Sequence, residues 1–120
     1  MVYEYLEWIK KAERDFDAAL YNLKGNFIEE GAFFLQQSAE KALKALFLKK
    51  LSRLPKTHDL VGLAMDLKAP DKIKSYARLL SPAYQYTRYP DVSGIMGLEE
   101  EIENLKNYCK EILTWVKKNL

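Results

Sequence analysis

Between Ile28 and Leu51 apolar residues return at alternating steps of four and three, and this stretch most narrows what the chain can fold into. Ile28, Ala32, Leu35, Ala39, Ala42 and Leu46 form one stripe, the spacing of a helix with one buried side. Leu43 and Phe47 widen that side, so the segment predicts a helix packed on more than one neighbour. Small Ala39 and Ala42 allow another helix to approach closely. Two adjacent amides, Gln36 and Gln37, enter the apolar run. Buried polar groups find partners, so they are expected to satisfy backbone groups or each other.

The same period recurs elsewhere. Tyr5, Ile9, Ala12, Phe16, Ala19 and Leu23 mark a first helix that Gly25 and Asn26 stop. Pro55 is expected to end the second. Thr57 is a candidate cap for a short third helix with an apolar side of Leu60, Leu63, Ala64 and Leu67. Pro70 suits the first turn of a fourth helix, whose stripe is Ile73, Ala77, Leu80 and Tyr84. Pro82 should kink or shorten it, and Tyr84 to Thr87 is too short to decide between strand and helix. The stretch from about Tyr86 to Gly97 holds Pro90, Gly94 and Gly97 and is the least regular. A last helix opens on Glu99, Glu100, Glu101 and Glu103 and closes on Lys117 and Lys118, matching its dipole. Its stripe is Leu98, Ile102, Leu105, Cys109, Ile112 and Val116, with Tyr108 and Trp115 on an adjacent line. The pattern predicts an all-α, up-and-down bundle of four to five helices in a single domain over residues 1–120.

Composition narrows the functional classes. The net charge of +2 is too small to mark the whole chain as a nucleic-acid binder, so any electrostatic argument rests on clustering. With one cysteine and one histidine, neither a multi-cysteine cluster nor a zinc pair on one helix is available. No metal and no cofactor are expected. The five glycines are scattered and form no phosphate loop. The N-terminal residues mix acids where a signal peptide needs a basic and then apolar run, and no apolar segment approaches membrane-spanning length. A cytoplasmic protein with no membrane partner is expected.

One cluster stands out. From Lys41 through Lys56 every charged residue is positive (Lys41, Lys44, Lys49, Lys50, Arg53 and Lys56), and Thr57-His58-Asp59-Leu60 follows with the lone imidazole. Uncompensated positive charge beside a titratable ring invites an anionic ligand. The plainer expectations are a solvated lysine face and a histidine that pins its loop. Cys109, on the core stripe, reads as a small buried hydrophobe.

Trp8, Ala12, Asp15 and Ala18-Ala19 are followed by Gln36-Gln37-Ser38-Ala39-Glu40-Lys41-Ala42-Leu43-Lys44-Ala45, then Thr57-His58-Asp59-Leu60, then Arg88-Tyr89-Pro90-Asp91. In this order the sequence resembles the HEPN domain family, named for higher eukaryotes, prokaryotes and nucleotide binding. The second-helix block is its most specific part. The resemblance implies a helical bundle that pairs into a homodimer. It also implies a small, separately encoded nucleotidyltransferase as partner, in a two-component arrangement of toxin-antitoxin type. Some branches cleave RNA without a metal, through an arginine four to six residues ahead of a histidine.

Arg53 and His58 meet that spacing. His58 would move a proton on or off the ribose 2′-hydroxyl while Arg53 stabilised charge on the phosphate. The pair straddles Pro55 in a loop rather than lying on a late helix, and Leu60 stands where those branches often carry tyrosine. The expected function is therefore binding of a nucleotide or RNA phosphate, with the ribonuclease as the alternative. The expected ligand contacts are Gln37, Lys41, Lys56, Thr57, His58, Asp59, Arg88, Tyr89 and Asp91, with Arg53 and His58 catalytic only under the alternative. Spare apolar surface for a homodimer is expected along Tyr108 and Trp115, or at Phe33 or Phe34.

Overall fold

The computed structural model describes residues 4–87 and 97–120. Two long helices open the chain, α1 (Glu4–Lys24) and α2 (Ile28–Leu51). Between them Asn26 adopts the left-handed conformation, with φ of 66°, a geometry asparagine tolerates better than most residues. The chain therefore reverses as expected, and the two helices run antiparallel. Gly31 lies at the contact: a Cβ there would collide with the side chain of Leu23. Ser38, one side of α2, donates its hydroxyl to the Ala12 carbonyl at 2.6 Å, and Lys41 pairs with Asp15.

The remaining helices are α3 (Leu60–Asp66), α4 (Asp71–Leu80), a single turn α5 (Ala83–Tyr86) and α6 (Leu98–Asn119). No strand occurs among the described residues. The α6 helix runs parallel to α2, since Ser38 meets Cys109 near the middle of both helices and Lys49 meets the Leu120 carbonyl toward the C-terminal end of both. It runs antiparallel to α4: Tyr76 stacks on Tyr108 at 4.7 Å, and Lys72 reaches Glu111 at 3.3 Å. Taken in order, α1, α2, α4 and α6 alternate in direction, the up-and-down arrangement read from the sequence. Leu35, Leu43, Leu46, Phe47, Leu60, Leu63, Leu80 and Ile112 fill the interior.

The second helix spans Ile28–Leu51, the bounds read from the sequence; it stops there because Ser52 turns left-handed at φ 55° and donates its N–H to the Leu48 carbonyl, ahead of Pro55. Three local expectations need correction. Asp59, not Thr57, caps α3: its carboxylate accepts from the Val61 N–H at 3.0 Å, while the Thr57 hydroxyl accepts from the Asp59 N–H. An ionised carboxylate is a strong cap, and Asp59 stands immediately before the first helical residue. Pro70 likewise precedes the first helical turn of α4. Pro82 cuts the fourth helix short, as expected, so Tyr84 lies not on its stripe but in the separate turn α5.

Tyr108 stacks on Tyr76 and Trp115 packs against the core, each partly buried, while Phe33 and Phe34, also partly buried, meet edge to face. The large apolar groups left most exposed include Tyr21 and Phe27, beside the α1–α2 turn, and Met65 on α3.

Candidate functional site: a buried carboxylate behind the lone histidine

The α2 helix carries a polar patch inside its apolar side. Gln36, Ser38, Glu40 and Lys44 are all buried. Lys44 extends its ammonium to Glu40 at 3.0 Å, one helical turn away, the favourable acid-before-base order. The Gln36 amide donates to Glu40 and, at 3.1 Å, to the His58 carbonyl. Its own oxygen accepts from Gln37 at 2.8 Å. Every member of the patch thus has a partner, as buried polar groups require.

The group that leaves this patch is His58. Its Nδ1 lies 3.0 Å from one oxygen of Glu40 and 3.3 Å from the other. A carboxylate beside a lysine accepts only, so Nδ1 carries the proton and Nε2 is the ring atom left for solvent. The side chain is about half exposed while Glu40 is buried beneath it. From the other side Tyr84 stacks on the imidazole at 4.0 Å, nearly parallel. The Leu60 N–H donates to the Ser81 hydroxyl at 3.1 Å, tying the start of α3 to the end of α4. The His58 loop is therefore gripped from α2 by side chains and from α4 and α5 by a hydroxyl and a ring.

His58 opens into a groove of about 540 Å³ whose walls include Asp59, Val61, Arg78, Ser81 and Tyr84. Of the expected contacts among the described residues, the structure brings only His58 and Asp59 to it. Lys41 turns to Asp15, and Gln37 serves Gln36. Arg53 lays its guanidinium 4.8 Å over the Phe47 ring, and Lys56 is exposed on the loop. Arg88, Tyr89 and Asp91 lie outside the described residues. The basic run is also less bare than its sequence suggests, because Asp15 and Glu40 neutralise Lys41 and Lys44 from outside the run. Lys44 is interior, not part of a solvated face.

Sequence reasoning missed Glu40, Arg78, Ser81 and Tyr84 as site residues. Glu40 had a signal, since it stands four residues ahead of Lys44 on the apolar side of α2. The other three come from segments that only tertiary packing brings to His58.

No cluster of three or more potential metal ligands occurs among the described residues. Cys109 is fully buried, and its thiol is pushed up to about 12 by loss of hydration, against the pull of hydrogen bonding with Ser38 and the Ala39 backbone. It behaves as an inert core group.

The family model for the HEPN domain matches residues 5–119. The chain belongs to the HEPN domain family. Among solved structures, this HEPN domain superposes on TT1696 from Thermus thermophilus with a TM-score of 0.86 and 26% identity, over 100% of both chains. It superposes on ST0689, an archaeal HEPN homologue, with a TM-score of 0.78 and 34% identity, over 95% of each chain. No curated protein matches the sequence. No helix among the described residues is long and apolar enough to cross a membrane.

Proposed function

We propose that this HEPN domain is a cytoplasmic binding protein for a nucleotide or an RNA phosphate, working with a separately encoded small nucleotidyltransferase in a two-component, toxin-antitoxin-like system. The observation that carries the reading is the pairing of His58 with buried Glu40. A carboxylate that holds Nδ1 fixes the ring and leaves Nε2 in a groove that also contains Arg78. A guanidinium and an imidazole are well suited to an anionic oxygen ligand. Gln36, Glu40 and Lys44 hold the loop from behind, so the ring is positioned before any ligand arrives.

Binding is favoured over cleavage through Arg53 and His58 because the Arg53 guanidinium is engaged on Phe47. We further propose that the domain pairs with a second copy through its exposed apolar corner near Tyr21 and Phe27. The functional reading is tested by calorimetry with nucleotides and short RNA at low salt. Saturable binding lost in His58→Ala supports it, and no binding at millimolar ligand overturns it. EDTA-resistant RNA cleavage by the wild type, lost in His58→Ala, would replace it with the ribonuclease.

A further inference from the structure

We propose that the groove is built for a phosphomonoester (the terminal phosphate of a nucleotide or sugar) and not for the internal phosphodiester of a strand. This deepens the nucleotide-binding reading and rests on it.

Beside the groove, along α3 and α4, lies a second lobe lined by Val61, Met65, Asp71, Lys74 and Arg78, so that Val61 and Arg78 border both lobes. The charges along this path are unequal in availability. Arg78 is the groove's cation that no carboxylate among the described residues holds. Lys74, one turn earlier on α4, is paired with Asp71 at 3.2 Å. Acids stand in both lobes, Asp59 beside His58 and Asp71 beside Lys74.

A phosphomonoester carries nearly two negative charges and three terminal oxygens. Arg78 can grip two oxygens in its fork, and in the imidazolium form Nε2 of His58 donates to the third while Nδ1 donates to Glu40. One dianionic group thus uses both cations in one place. A strand would have to thread further phosphates past Asp59 or into the lobe where Asp71 already neutralises Lys74. Among the described residues each such phosphate would meet a carboxylate and no free cation. Among the described residues the aromatic wall of the groove, Tyr84, is already engaged by His58 at 4.0 Å and by Phe33 at 6.3 Å, so it is not free to stack on a base. The recognised group is the phosphate.

Calorimetry on the full chain with 5′-AMP, adenosine and the dinucleoside monophosphate ApA tests this. AMP should bind about tenfold or more tightly than either of the others, a preference charge-assisted hydrogen bonds can supply. Arg78→Gln, on an exposed residue whose loss should not unfold the domain, should remove the preference. Asp71→Asn should free Lys74 and raise the affinity for ApA toward that for AMP. Equal or tighter binding of ApA by the wild type, or AMP affinity unchanged in Arg78→Gln, overturns the phosphomonoester assignment and leaves the nucleotide reading standing. If none of the three binds, both fall together.

Discussion

Nδ1 of His58 and Oε1 of Glu40 stand 3.0 Å apart, one on an exposed loop and one in the interior of α2. The same carboxylate takes the Lys44 ammonium. A buried ion pair is weak support for stability while intact, yet breaking it leaves a charge without compensation.

Removing either partner alone should therefore be costly. Lys44→Met and Glu40→Met should each destabilise the domain by about 3 kcal/mol, the usual scale for an uncompensated buried charge. The double variant should cost less than the sum of the two. Urea denaturation of all four proteins measures the coupling, and strict additivity would show that the pair is not energetically joined.

Arg53 should behave differently from Arg78. Its exposed guanidinium lies over the ring of buried Phe47, and a cation–π contact made from the solvent side is weak, so Arg53→Ala should cost about 0.5 kcal/mol of stability and leave nucleotide affinity unchanged. A loss of affinity in Arg53→Ala comparable with that in His58→Ala would return Arg53 to the site.

Cys109 gives a test of the core. Its thiol is raised to about 12 by burial, above the ordinary thiol value near 8.5. The folded state therefore holds this proton more tightly than the unfolded chain. Its contribution is full below about pH 8.5 and declines as pH rises toward 12. At pH 8 Ellman's reagent should label the folded domain only as fast as it opens, and urea should expose the thiol. Rapid stoichiometric labelling without denaturant would place Cys109 outside the core.

Gly31 should resist enlargement. Alanine gains helix propensity, but its Cβ would strike Leu23 across the α1–α2 contact. Overpacking of this kind costs about 1–3 kcal/mol, so Gly31→Ala should lower the melting temperature. A rise would mean that the two helices part without penalty.

The stripes of α1, α2 and α6 could be read from the sequence because each helix buries a side whose period is set by its own residues. Ile9, Ala12 and Ala19, like Ile102, Leu105 and Cys109, point inward as their spacing requires. Caps were harder to read than ends. Ser52 rather than Pro55 stops α2, through left-handed geometry, and Asp59 rather than Thr57 caps α3, through a carboxylate bond at 3.0 Å, and neither leaves a periodic trace. Among the described residues the groove was legible only at His58 and Asp59. Lys41 and Lys44 looked like free positive charge because the acids that neutralise them, Asp15 and Glu40, lie on another helix and just before the run. Arg78 and Tyr84 follow His58 by 20 residues or more in the chain, and local pattern carries no trace of that approach.

The consequence of α2 serving three neighbours at once lies in how the molecule can change. Ser38 is fastened to α1, Ala39 and Ser38 meet Cys109 of α6, and Glu40 holds the histidine loop. These are consecutive residues, so turning α2 by a single position would misplace all three contacts together, and bundle register and ring orientation form one variable. The outer wall is not bound in this way. Arg78, Lys74 and Asp71 are set on the outward side of α4, where exchange of one charged head for another leaves that register untouched. The inner half of the groove is thus fixed by the bundle, while the outer half is open to retuning for a different anion.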